Sequence, residues 1–166
     1  MRIHCEHEIL LPASAFWDLI HAPAYEAAVA EAVGLRAYQE LERREEPDAV
    51  YRKLRVEADL PESLRGLLRK VGFEGPAGYE EEQWRHLQRR EVRWRMTPGA
   101  FADRARIEGT VRVEPRGRAR CVRVLEGVVE LRFFGIGGML ERTAVSMVTD
   151  AYAKGAALAA EFGPGA

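Results

Sequence analysis

Ile136–Phe162, IGGMLERTAVSMVTDAYAKGAALAAEF, decides the fold. Ile136, Leu140, Ala144, Met147, Ala151, Gly155, Leu158 and Phe162 recur at spacings of three and four, which aligns them on one face of an α-helix. Several members are small, so a helix here can lie close to a sheet. The segment just before it, Arg120 to Phe133, alternates as a strand. Its apolar phase moves from Val122 and Val124 to Val129 and Leu131, which predicts a β-bulge near Glu126-Gly127.

Working back from this helix, the chain is strand after strand. Arg104 to Glu114 puts Ala105, Ile107, Gly109, Val111 and Val113 on one side, and Pro115-Arg116-Gly117 turns the chain. Glu91 to Thr97 groups Val92, Trp94 and Met96, with a turn at Pro98-Gly99. Glu80 to Gln88 groups Glu82, Trp84 and His86. A loop at Phe73 to Gly78 precedes it. Before that, Pro61 opens a helix with the stripe Leu60, Leu64, Leu67, Leu68 and Val71, and Gly72 closes it.

Val50 to Ala58 is a strand whose apolar face, Val50, Leu54, Val56 and Ala58, is interrupted by Arg52. It follows a partner strand across a turn at Glu45 to Asp48. Two short helices come earlier. One carries Phe16, Trp17 and Ile20. The other is opened by Pro23, bears Tyr25, Ala28, Val29 and Ala32, and ends at Gly34. The chain begins with a half-buried strand, Ile3, Cys5, His7 and Ile9 against Arg2, His4, Glu6 and Glu8.

Strands joined by tight turns are antiparallel. One amphipathic helix on about seven such strands makes a two-layer α+β domain, expected to span residues 1–163 as one unit. With Lys+Arg 25 against Asp+Glu 26, the net charge is -1, so no bulk field draws nucleic acid or an anionic membrane. No stretch has the length and apolarity of a membrane-spanning helix, and the beginning of the chain lacks a signal peptide's apolar core. A cytoplasmic protein is expected, with Cys5 and Cys121 as reduced thiols.

This order of elements resembles the START-like, or helix-grip, superfamily (SRPBCC). The resemblance rests on the opening strand running into Pro12-Ala-Ser-Ala-Phe-Trp17, on the meander, and on Gly135-Ile-Gly-Gly-Met-Leu-Glu141. The Pro-led helix Pro61 to Val71 and the Gly-Gly-x-x-Glu start of the last helix are similar to a bacterial domain-of-unknown-function family within it. The resemblance implies a curved antiparallel sheet gripping the long C-terminal helix around an apolar cavity for a lipid, sterol or polyketide-like molecule. It carries no universal catalytic residues.

The residues expected to line that cavity are Tyr25, Arg52, Leu54 and Val56 from the first half of the chain. Trp84, His86, Trp94, Met96 and Ile107 come from the meander, and Met139 and Met147 from the long helix. Glu82 and His86 are a candidate acid–base pair if they face inward; otherwise Trp84 packs and the two lie at the wetter end of the strand. Arg52 can hold a ligand carboxylate, or pair with Glu82 or Glu126. The four histidines are too scattered for a zinc site, and a Cys5-x-His7 pair is a weak nucleophile signal. Gly135-x-Gly-Gly lacks the surroundings of a phosphate loop and reads as a strand-to-helix turn.

The leading expectation is a carrier or sensor for a small hydrophobic molecule, without cofactor or metal, as a monomer or homodimer. The alternatives are a polyketide cyclase/dehydratase-type enzyme and a co-chaperone-type interaction module. The helix from Pro61 to Val71 is a lid or a simple cap. Its Arg65, Arg69 and Lys70 offer at most transient membrane contact.

Overall fold

The computed structural model describes residues 1–74 and 78–163. Among these, seven strands form one antiparallel sheet: β1 (Arg2–Ile9), β2 (Leu35–Glu45), β3 (Ala49–Ala58), β4 (Gly78–His86), β5 (Glu91–Pro98), β6 (Ala105–Pro115) and β7 (Cys121–Leu131). The order across the sheet is β1-β7-β6-β5-β4-β3-β2. The opening strand therefore pairs with the last one, and β2 is an open edge. That edge is exposed almost throughout and studded with Arg and Glu, which discourages pairing with another chain.

Two short helices, α1 (Ala13–Leu19) and α2 (Pro23–Ala32), follow β1, and α3 (Glu62–Lys70) links β3 to β4. The long helix α4 (Gly137–Ala159) runs into a 3-10 turn at Ala160–Phe162. This is the expected α+β helix-grip architecture: a curved open sheet with a long C-terminal helix across its inner face. The centre of the loop Phe73 to Gly78 lies outside the described residues.

The inner face is set by pleat alternation. Ile3, Trp94, Val111, Leu125, Val129 and Leu131 are buried there with Leu140 of α4. A second cluster gathers Ile9, Phe16, Trp17, Tyr25, Val113 and Cys121 under α1 and α2.

The expected bulge in β7 is absent. Its ladders with β1 and β6 run without a shift through Glu126 and Gly127, so every odd residue from Cys121 to Leu131 shares the inner face. Val122 and Val124 face outward yet are buried, which makes the apolar pattern look as if it changes phase. The strand accommodates curvature through glycines instead. Gly109 pairs with Gly127, and a Cβ on Gly109 would meet Glu126 O at 2.2 Å and the Trp94 ring at 2.8 Å. Only glycine lets the two backbones and the indole approach so closely.

At the other end, Gly135-Ile-Gly-Gly makes the strand-to-helix turn. Gly135 has φ 78, and a Cβ on Gly137 would lie 2.6 Å from Leu131 O. Glu141, one turn into α4, accepts the Leu131 N–H at 3.0 Å. The helix is thereby pinned to the end of β7. Within the sheet, α4 packs chiefly on β1 and β7.

Candidate functional site

Two hollows adjoin between α4 and the inner face. The first has a volume of about 430 Å³. Its floor includes Met96, Ile107 and Val129, its roof includes Ala144, Met147 and Ala151, and its mouth is covered by Leu64 and Leu68 of α3. Ala144 and Ala151 leave room in the roof, where a larger side chain would reach toward the sheet. Leu64 and Leu68 lie four apart on one face of α3, and both are buried. Burial of each contributes about 2 kcal/mol toward holding α3 over the hollow. The size falls within the range of small-molecule sites.

The second hollow, about 230 Å³, sets charged and polar side chains among apolar ones and is the more polar of the two. Tyr25, Glu26, Glu81, Gln83, Arg85 and Arg123 line it beside Trp94. Val33, Ala151 and Tyr152 line both hollows, so the apolar space opens toward polar groups.

The polar end is organised by arginines. Arg52, only 3% exposed, donates from Nη1 to Glu26 Oε1 and from Nε to Glu40 Oε2, each at 2.6 Å. Arg85 donates from Nη2 to Glu26 Oε1 at 2.7 Å and to Gln83 Oε1 at 3.3 Å. Gln83 donates to Glu81 Oε1 at 2.7 Å. Such pairs around a buried guanidinium hold their geometry because an unpaired charge there would be costly. Tyr25 donates to Gly155 O at 2.6 Å, tying α2 to α4.

Burial governs the titration of these groups. It pushes the Glu81 carboxyl up, aided by the charge of Glu26 and opposed by the bond from Gln83 and by Arg52. It likewise raises the hydroxyls of Tyr79 and Tyr152, on which Glu81 acts in the same direction. His21, at the edge of the polar hollow, is lowered to about 4 by desolvation.

The family model described as "Protein of unknown function (DUF2505)" matches residues 4–162. The chain belongs to this DUF2505 family. No curated protein matches the DUF2505 chain in sequence. Solved structures share its fold. A protein of Thermus thermophilus is 15% identical with TM-score 0.70, covering 99% of this chain and 100% of that one. The Zhui aromatase/cyclase of Streptomyces sp. R1128 is 15% identical with TM-score 0.65, covering 96% and 92%. Norcoclaurine synthase of Thalictrum flavum, in complex with dopamine and hydroxybenzaldehyde, is 16% identical with TM-score 0.61, covering 99% and 88%. The START-like fold of the DUF2505 chain is thus shared with small-molecule enzymes and with a START superfamily protein of Mycobacterium smegmatis.

The structure distributes the expected cavity residues of the DUF2505 chain unevenly. Met96, Ile107 and Met147 line the apolar hollow, and Tyr25 and Trp94 the polar one. Leu54 and Val56 are on the inner face but buried in the packing. Arg52 is also inward, paired with Glu26 and Glu40 rather than with Glu82 or Glu126. Met139 is exposed at the start of α4 and lines neither hollow.

Glu82, Trp84 and His86 require correction: all three face outward. Trp84 stacks with Tyr51 at 5.6 Å, and Glu82 accepts from Tyr51 Oη at 3.0 Å on that outer face. Arg93 and Arg95 lie over the Trp84 ring. The inward residues of β4 are Tyr79, Glu81, Gln83 and Arg85, which the sequence reading missed. Phe134 is fully exposed, and Trp17 packs on His21. Arg65 and Arg69 both pair with Glu62, leaving α3 less basic than its sequence suggests. No helix of the described residues is long and apolar enough to cross a membrane.

Proposed function

We propose that this DUF2505 chain is a carrier or sensor that holds a small, mostly apolar molecule between α4 and the sheet. The observation that carries the reading is the hollow of about 430 Å³, walled by aliphatic and aromatic side chains and covered by α3. Water in such a space makes few hydrogen bonds, so displacing it by an apolar guest is favourable. In this reading α3 is a lid: it lies between β3 and β4 in the chain and is not itself part of a sheet ladder. Native mass spectrometry of the purified protein tests the proposal. A bound apolar molecule that is released on unfolding supports it. A bare protein that also takes up no added long-chain alcohol contradicts it.

A second reading, a cyclase- or dehydratase-type enzyme, is favoured by one feature. Glu81 is a buried carboxyl held toward its neutral form beside Tyr79 and Tyr152, where the two hollows meet. A carboxyl whose charged form is disfavoured can serve as a general acid. The acid–base candidate is therefore Glu81 instead of Glu82 or His86. Under this reading Glu81→Gln abolishes turnover of a bound candidate substrate and leaves its binding constant within about threefold.

A further inference from the structure

The polar hollow has more buried donors than the protein uses. Arg85 Nε, Trp94 Nε1 and Arg123 Nε are buried without a hydrogen-bond partner among the described residues, and all three side chains line this hollow. Arg85, Trp94 and Arg123 are 7%, 2% and 6% exposed, so solvent does not serve them. Each of these three atoms carries a hydrogen and can only donate. Buried unpaired donors are costly, and their convergence on one space marks a place for an acceptor.

The charges agree. Two guanidiniums line the hollow, those of Arg85 and Arg123, with the carboxyl groups of Glu26 and Glu81, and Arg85 is paired with Glu26. Glu26 and Glu40 are shared among Arg43, Arg52 and Arg85. Glu81 is bonded to Gln83. Arg123 has no carboxylate partner among the described residues. Its cross-strand neighbours are His7 and Val113, it donates to the Tyr152 carbonyl, and its guanidinium lies 4.8 Å from the Tyr152 ring centroid. His7 offers no counter-charge, since an imidazole is neutral or cationic, and burial and Arg123 push it toward the neutral form. A buried cation of this kind calls for an anion.

We infer that the polar hollow receives the carboxylate of an apolar acid, held by Arg123, Arg85 and the Trp94 indole N–H, while its hydrocarbon part fills the adjoining apolar hollow. Arg123, the guanidinium of this hollow without a carboxylate partner among the described residues, matches a monoanion, whereas a phosphate monoester brings nearly two negative charges. The planar guanidinium suits a carboxylate's two oxygens. This inference rests on the proposed binding function and specifies its ligand class.

Dodecanoate, 1-dodecanol and dodecyl phosphate, titrated into the full chain by calorimetry below their micelle concentrations, test it. The expected result is dodecanoate binding at least tenfold more tightly than dodecanol and than dodecyl phosphate. In Arg123→Met the ratio of dodecanoate to dodecanol falls to about one. The Trp94 indole N–H resonance, assigned through Trp94→Phe, shifts with dodecanoate and not with dodecanol. That signal decides the matter in the unaltered protein if Arg123→Met does not fold. Equal affinity for acid and alcohol, or a preference for the phosphate, overturns the carboxylate assignment and leaves the apolar-ligand reading standing. Binding of none of the three overturns both.

Discussion

The guanidinium of Arg123 lies 4.8 Å from the ring centroid of Tyr152 and donates to that same residue's carbonyl, so one strand residue grips one turn of α4. The next turn carries Gly155, which leaves little room beside the grip. A Cβ there would stand 3.4 Å from both Arg123 Nη1 and Tyr25 Oη. Sheet, α2 and α4 are thereby joined at the polar end, while α4 rides on small residues above the apolar end.

Gly155→Val is expected to destabilise the protein by about 2 kcal/mol, because the added methyls press on two bonded side chains at once. Urea unfolding would show a lower midpoint with an unchanged slope. The same variant is expected to lose its tryptophan response to a carboxylate probe.

Gly109→Ala is expected to be more damaging for a single methyl, about 3 kcal/mol, since the new atom meets backbone at 2.2 Å. Backbone cannot step aside as a flexible side chain can. Chemical denaturation measures it, and a cost below about 1 kcal/mol would mean that the glycine pair does not shape the sheet.

Arg52→Met leaves Glu40 with Arg43 and Glu26 with Arg85 alone. The expected loss is about 3 kcal/mol, the usual cost of breaking a buried pair by removing one partner. A thermal melt of Arg52→Met beside the exposed control Arg55→Met separates this from a generic loss of charge.

His21 and Glu81 give stability opposite slopes with pH. His21 has its pKa lowered from 6.5 to about 4 by burial, with Arg52 and Arg43 acting the same way and the Trp17 backbone bond opposing. The unfolded chain therefore binds more protons between those values, and stability is lost as pH falls from 6.5 toward 4, by up to about 3 kcal/mol. Glu81 has the opposite sign. Its raised native pKa means the folded chain holds the extra proton above 4.5, so stability is lost as pH rises through the raised value. His21→Asn should flatten the acid side of a melting-temperature profile, and Glu81→Gln the other side.

The frame of this fold was readable because its periodicities are strong: the stripe on α4, the alternation of β5 and β6, and the Pro and Gly that end each element. The face of β4 was read wrongly because Gly78–His86 is polar on both sides, and Trp84 drew the apolar assignment to itself. Parity held the missing information. β4 and β5 are joined by a loop with an even number of residues, Leu87 to Arg90, so opposite residues sum to an odd number and Trp84 cannot share a face with Trp94. The polar lining was illegible for a different reason. Glu26, Arg52, Arg85 and Arg123 come from four elements far apart in sequence, and only the sheet order places them together. The supposed bulge in β7 shows the converse error, where two buried outward valines imitate a change of phase.

The central claim is that the space beneath α4 admits a guest. Of the four methionines, Met96 and Met147 line that space, while Met1 and Met139 lie on the surface. Methyl NMR of methionine-labelled protein titrated with 1-dodecanol reads the two sets separately. The account predicts saturable shifts at Met96 and Met147, with Met1 and Met139 unmoved. Shifts confined to Met1 and Met139, or none at all, would contradict it.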